Sequence, residues 1–361
     1  MNFNGTRIQE IQHTLRPQIS KKRSVWLIIG SALLFLSGCA PVQTDRDIPS
    51  ALDTRGPVAS TIANEWWIQF TLGTIVALVV FGILFYILNA RIERNRLARD
   101  VDVIITPSGQ GRTWIWWGGI IIPIIILAVL LGVSMYSHIT LAAPPDTPTV
   151  SIEVIGHRWW WEVRYPEDDF VTANQLHIPT GQSVEIHLTS ADVIHSFWVP
   201  QLTGKMDLVP GEINTIWIQA DDTGVFRGIC AEFCGMQHAN MHFLVVAETP
   251  EAFEAWRQRE SQPASEPQTE LAQQGQEVFM STTCVFCHSI RGTEATGELG
   301  PDLTHIASRL TIGAGILENN RGNLGGWIID PQTHKPGNLM PPANLTGPQL
   351  QALLTYLETL E

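Results

Sequence analysis

The sequence predicts a multidomain membrane protein in three parts: a two-helix transmembrane hairpin, a small all-β domain and an all-α C-terminal domain. Three observations predict it. Two long runs carry no charge, a stretch of short alternating segments follows them, and a polar Pro- and Ser-containing linker precedes a helical segment with its own cysteine motif. At 361 residues the chain has room for two or three domains.

The hairpin comes first. Trp66 to Ala90 and Trp114 to Ser137 are 25 and 24 residues long, and neither contains Asp, Glu, Lys or Arg. About 20 apolar residues suffice to cross a hydrocarbon core as a helix. A buried helix of a soluble protein is the alternative, which two such runs with charged flanks disfavour. Residues 91–113 between them carry Arg91, Arg94, Arg96, Arg99 and Arg112. By the positive-inside rule this short loop faces the cytoplasm, and everything after about residue 140 lies on the far side of the membrane. A multi-pass protein of the bacterial plasma membrane follows, and membrane lipid is its first partner.

Ahead of the hairpin, Lys21-Lys22-Arg23 precedes VWLIIGSALLFLSG and then Cys39. A basic start, a short apolar core and small residues before the cleavage point are the layout of a signal peptide, here residues 1–38. Leu36-Ser37-Gly38-Cys39 resembles a bacterial lipobox, which makes Cys39 the lipid-bearing first residue of the mature chain and 39–65 an exported segment. An ordinary signal with a chance cysteine and a third membrane helix are the alternatives.

Charge is unevenly spread. Residues 1–141 hold 12 basic and 8 acidic side chains, 142–250 hold 4 and 14, and 251–361 hold 6 and 13. The exported part is acidic, which disfavours nucleic acid as a partner and suits a basic protein.

Within 142–250, the segments SIEVIG, QLHIP, SVEIHLTS, FWVPQL, INTIWIQA and MHFLVVAE read as strands by period-two patterning, with turn residues between them. Six or more short strands in about a hundred residues suggest a sandwich or barrel. Residues 251–270 read as a linker, since SQPASEPQT from Ser261 cannot bury a core. Residues 271–361 open on a helical stretch and end on a terminal amphipathic helix that Thr346 caps.

The cysteines carry the chemistry. Besides Cys39 there are two close pairs, each followed by a histidine. Cys284-Val-Phe-Cys287-His288 is the signature of covalent c-type haem attachment, with His288 placed to reach the iron. A thioredoxin-like motif would leave His288 without a role, and a zinc half-site would need a second pair downstream. The sixth iron ligand is expected later in the chain. Met340, in the rigid KPGNLMPP loop, is the only methionine after Met280, with His305 and His334 as rivals.

The other pair stands in Cys230-Ala-Glu-Phe-Cys-Gly-Met-Gln-His-Ala-Asn-Met241. A disulfide would leave His238 and Met241 without a shared purpose. A zinc site needs Cys230, Cys234, His238 and one remote histidine: His195, or else His177, His187 or His242. With the Met241 thioether and the Glu232 carbonyl the set has six donors, more than one tetrahedral ion uses. Sulfur with imidazole and a weak thioether suits copper, and bridging thiolates would let two copper ions share the set.

His195-Ser-Phe, followed 35 residues later by C-x-E-x-C-x-x-x-H-x-x-M, resembles the copper-A site of cytochrome c oxidase subunit II. The resemblance covers about residues 60–250, including Gly156-His-Arg-Trp-Trp-Trp-Glu-Val-Arg-Tyr165. Residues 271–361, with LGPDLT and the Met340-Pro-Pro loop, resemble a class I cytochrome c, and the combination is similar to the caa-type oxidases. The resemblance implies a cupredoxin-like β domain with His195, Cys230, Cys234, His238 and Met241 as copper-A ligands, joined by the Glu232 carbonyl. It assigns the Glu232 carboxylate to a magnesium shared with subunit I, and Trp159 as the residue where electrons enter. It implies an order of centres from an external donor, a cytochrome c or a quinol:cytochrome c reductase, to haem c, copper A and the haem–copper oxygen-reducing site of subunit I, coupled to proton translocation. Subunit I and other oxidase subunits are the implied partners. One position departs: seven residues before Pro123, where the family often has a glutamate at a proton path, stands Trp116. A nitrous-oxide reductase would need a large His-rich domain that 11 histidines do not supply, and a quinol oxidase subunit keeps the fold without the copper ligands.

Overall fold

The computed structural model of the protein describes residues 49–97, 109–144 and 146–361. The expected signal segment, Cys39 and part of the arginine-rich loop lie outside them. Helix α1 (Pro57–Leu97) starts ahead of the first apolar run and continues past its end. Helix α2 (Gly109–Trp116), a π-helical turn (Trp117–Ile121) and α3 (Ile122–Leu141) form the second apolar rod. The π turn comes just ahead of Pro123, which has no N–H for a regular helical bond.

Both rods are long and apolar enough to cross a membrane, with mean hydropathies of 2.5 and 2.6 over windows that no other part of the chain buries. Leu78 and Phe81 stay about two-thirds exposed, at 68% and 67%. An apolar helix left bare on both flanks needs lipid or a partner subunit against it. The membrane-distal ends are fastened to the β domain. Arg55 donates its N–H to Gln201 O at 2.8 Å, and Trp217 Nε1 donates to Leu141 O at 3.0 Å.

Ten strands build the β domain: β1 (Val150–His157), β2 (Trp160–Tyr165), β3 (Phe170–Ala173), β4 (Gln175–Pro179), β5 (Val184–Ser190), β6 (His195–Trp198), β7 (Met206–Leu208), β8 (Asn214–Ile218), β9 (Gly224–Cys230) and β10 (His242–Glu248). They form two five-stranded sheets, ordered β3-β2-β1-β5-β8 and β4-β10-β9-β6-β7. Strict alternation on β1, β5 and β10 turns Ile152, Val154, Ile186, Leu188, Phe243 and Val245 into one core between the sheets. The patterned segments of the sequence map onto six of these strands. The other four escape patterning because β3 and β7 are short, β9 contains two glycines, and only Arg158 and Trp159 separate β2 from β1.

Residues 251–260, expected as linker, are helical. Helix α4 (Pro250–Glu260) is capped by Thr249, whose hydroxyl accepts from Ala252 N, and it buries Phe253 and Trp256 on the β core. Two apolar residues three apart on a capped helix outweigh its charged residues. Beyond it the polar stretch is pinned: Ala264 N donates to Arg291 O at 2.9 Å, and Arg291 donates to the Glu260 and Ser261 carbonyls.

The C-terminal domain contains α5 (Glu270–Ser281), a 3₁₀ turn (Thr283–Phe286), a two-residue hairpin β11–β12 (Thr311–Ile312, Leu317–Glu318), α6 (Arg321–Ile329), α7 (Pro331–His334) and α8 (Gly347–Leu357). Helices α5 and α8 cross at Gly275, where a Cβ would stand 2.0 Å from Ala352 O. Thr346 N donates to Gln349 Oε1 at 3.0 Å, closing the N-terminal turn of α8.

Candidate functional site

Three strand ends assemble the metal-ligating cluster. Phe197 on β6 pairs with Cys230 on β9, which places His195 and Cys230 on one inward face. Cys230 N donates to Met241 O at 3.0 Å, so the residue that opens onto β10 lies across from Cys230. The loop 231–240 then folds Cys234 and His238 back over this end. The resulting donors fall into two sets. Around Cys230 Sγ stand Glu232 O at 3.2 Å and His195 Nδ1 at 3.9 Å. Around Cys234 Sγ stand His238 Nδ1 at 3.7 Å and Met241 Sδ at 3.8 Å. The two sulfurs are 3.7 Å apart, close enough to touch one metal together at the roughly 2.3 Å typical of metal–thiolate bonds. His195, Cys230, Cys234 and Met241 are buried.

Electrostatics prepares the cluster. Asp192 Oδ1 lies 2.9 Å from His195 Nε2, and the carboxylate also accepts from the Arg158 and Val193 amides. A carboxylate on Nε2 fixes the proton there and turns Nδ1 toward the sulfurs, as metal-binding imidazoles require. Burial lowers the His195 pKa, but Cys230 and Asp192 outweigh it and the net shift is upward. The Cys234 thiol, and after it His195, pulls the Cys230 thiol well below its ordinary value. The pull is toward the deprotonated sulfur that a metal needs. Gly156 makes room for the imidazole, since a Cβ there would stand 2.8 Å from His195 Cδ2.

The rival histidines are occupied elsewhere. His177 lies between Glu248 and Gln175 and stacks on Trp256. His187 faces Glu185 and Thr215. Burial pushes His242 down to about 4, but it stands outside the donor cluster. Glu232 is exposed, and its carboxylate accepts from Phe233 N at 3.2 Å.

The second site is a cavity of about 580 Å³ in the C-terminal domain, lined by Cys284, Cys287, His288 and Met340 among mainly apolar side chains. His288 Nδ1 donates to Pro301 O at 2.7 Å, leaving Nε2 free, and burial lowers its pKa. Gly300 admits the ring, since a Cβ there would lie 2.8 Å from His288 Cε1. Gln332 Nε2 donates to the Asn338 and Met340 carbonyls, and Asn338 Oδ1 accepts from Met340 N, which fastens the methionine loop. His305 has both ring nitrogens on carbonyls, of Glu361 and Gln262, and neither it nor His334 lines the cavity. Arg309 also lines the wall, fully buried, with its Nε unpartnered. An apolar slot with two thiols, a free imidazole nitrogen, a thioether and a buried cation fits an amphipathic, carboxylate-bearing iron porphyrin.

Trp159 joins the two sites. Its Nε1 donates to Cys234 O at 3.0 Å, while it also lines the cavity. Sequence reasoning missed Asp192, although a carboxylate three residues before a ligand histidine is a readable signal. It also missed Lys335, which only the packing of the two domains reveals. Lys335 is 2% exposed, and burial pushes its pKa down to about 7.

Comparison with known proteins identifies both domains. The family described as "Cytochrome C oxidase subunit II, periplasmic domain" matches residues 169–248, and "Cytochrome c" matches 272–361. Cytochrome c oxidase subunit 2 of Alkalihalophilus pseudofirmus is 37% identical over 347 residues, covering 94% of this chain and 98% of that relative. The Bacillus subtilis protein of the same name is 29% identical, covering 93% and 97%. Quinol oxidase subunit 2 of Bacillus cereus is 30% identical over 67% of this chain and 83% of its own length. The near-complete match to subunit 2, with a periplasmic domain and a cytochrome c domain in one chain, shows that this protein belongs to the cytochrome c oxidase subunit 2 family and carries a fused C-terminal cytochrome c domain.

Proposed function

We propose that the chain is the electron-accepting subunit of an aerobic respiratory cytochrome c oxidase. Electrons from an external donor arrive at the C-terminal domain, cross to the β domain at Trp159 and leave toward the oxygen-reducing site of subunit I, in a complex that translocates protons. The observation that carries the reading is the division of four further donors, two to each sulfur, around an adjacent pair of sulfurs. One zinc ion would use two thiols and two imidazoles and leave the thioether and the carbonyl idle. We therefore assign His195, Cys230, Cys234, His238, Met241 and the Glu232 carbonyl to binuclear copper A. Cys284 and Cys287 are assigned to covalent haem c, with His288 and Met340 as axial ligands.

When bound, copper A and haem c supply one-electron chemistry. The residues bind, orient and shield. Asp192 aims His195, and Pro301 aims His288. Burial of the β-domain cluster keeps water out. The exposed Glu232 carboxylate is assigned to magnesium at the subunit I boundary, and an E232Q complex that keeps its magnesium would contradict this. We place the chain as a multi-pass protein of the bacterial plasma membrane, both domains outside, with Cys39 lipidated. An unmodified Cys39 in the mass spectrum of the mature protein would remove that part. Helix α4 belongs with the β domain, which shortens the linker to 261–269.

The likeness to a quinol oxidase subunit offers a second reading, but the full donor set and the C-x-x-C-H pair favour the cytochrome-linked one. Elemental analysis and denaturing mass spectrometry of the full chain in detergent test the assignment. Two coppers and one haem that survives denaturation are expected per chain; a single zinc, or haem lost on unfolding, contradicts it.

A further inference from the structure

The contact between the C-terminal domain and the β domain includes several hydrogen bonds, and one side chain reaches three backbone segments at once. Lys335 Nζ lies 2.7 Å from Trp159 O, 2.7 Å from Asn240 O and 3.0 Å from Gly313 O. Trp159 precedes β2, Asn240 stands between His238 and Met241 in the metal loop, and Gly313 lies in the β11–β12 turn. Three donor hydrogens meet three carbonyls, which satisfies an ammonium in full. Around it the backbones approach closely. His242 N donates to Ala314 O at 3.0 Å, Leu310 N donates to Gln175 Oε1 at 3.0 Å, and Gln237 Nε2 donates to Pro336 O at 2.8 Å. Gly315 has φ +80°, and a Cβ on it would stand 2.8 Å from His242 Cβ.

A buried lysine with no carboxylate bonded to it is costly unless its position matters, because desolvation of the charge has to be met by the carbonyls alone. An apolar residue would suffice to fill the space. What an apolar residue cannot do is tie three separate backbone segments, two from the β domain and one from the C-terminal domain, to a single atom. We propose that Lys335 is a positioning residue: it clamps the haem-binding domain onto the copper loop and Trp159, holding the pose in which electrons pass within the chain. The clamp rests on the copper and haem assignment for its meaning, while its presence is read from the exchange of its own segments.

The test uses K335M in the full chain, which keeps the length of the side chain and removes its donors. Hydrogen exchange on the full chain as purified in detergent reads the clamp. Three hydrogen bonds lost together are worth enough that the docked pose should open by tenfold or more. Amides of 310–315 and 237–242 should therefore exchange at least tenfold faster, with the β core and the α5–α8 pair unchanged. Unchanged exchange in those segments overturns the proposal, and so does an equal rise in both cores, which would make Lys335 a general stability residue. In the loaded chain, photoreduction of the haem should show intramolecular transfer to copper slowed tenfold or more in K335M, and newly dependent on solvent viscosity. Wild-type transfer that is absent altogether would sink the functional reading and leave the exchange result standing.

Discussion

His195 and Met340 show how single residues set the chemistry. His195 reaches the sulfurs with Nδ1 because Asp192 occupies Nε2. An outer carboxylate of this kind is worth about 10–100-fold in metal affinity, so D192N should weaken copper binding by that factor in a competition titration. Met340 lines the haem cavity on a loop that Gln332 and Asn338 fasten. M340A should abolish the far-red ferric absorption band that reports sulfur–iron ligation while leaving the haem covalently attached; a band that persists would remove Met340 as a ligand. Away from the sites, His177, at 2.9 Å, holds the Glu248 carboxyl below its ordinary value of 4.5. A carboxyl depressed in the folded state adds stability that is complete above its unfolded pKa and is lost as pH falls through the folded one. Denaturation midpoints of E248Q should therefore lie below wild type at neutral pH and converge on it as pH drops below 4.5.

At the scale of elements, the metal cluster exists because β6, β9 and β10 are hydrogen-bonded neighbours whose ends come out together. The sequence showed β10 and part of β6 by alternation, but β9, GVFRGIC, hides behind its glycines. Gly228 is there because a Cβ would drive into the Phe243 ring at 2.1 Å, a packing reason with no local signature. Helix α4 falls in the span expected as linker from the polar SQPASEPQT stretch that follows it, and only the fold shows that Phe253 and Trp256 complete the β core. Truncating such a buried aromatic costs about 3–5 kcal/mol, so W256A should lower β-domain stability by that amount in denaturant titration. The α5–α8 crossing makes a complementary prediction. G275V would force side-chain carbons onto Ala352 O, and overpacking of that kind costs about 1–3 kcal/mol or more, read as a lower melting temperature for the cytochrome c domain.

Across the whole molecule, the residues that meet in the two candidate sites were legible because they are local in sequence or carried by a known motif: C-x-x-C-H, the Cys230–Met241 stretch, and His195 through resemblance. What joins the domains was not legible. Lys335, Gln237, Gly315 and Trp159 meet only after two independent cores have folded, and no periodicity records that meeting. The two apolar rods were plain from composition, and the described residues leave both uncovered. The central claim is that one donor cluster holds two coppers which share an electron. Electron paramagnetic resonance of the copper-loaded full chain in detergent tests it most directly. Two equivalent copper nuclei sharing one electron give a seven-line hyperfine pattern, and that pattern is the predicted result. A four-line spectrum from a single copper, or a silent site holding zinc, would contradict the account.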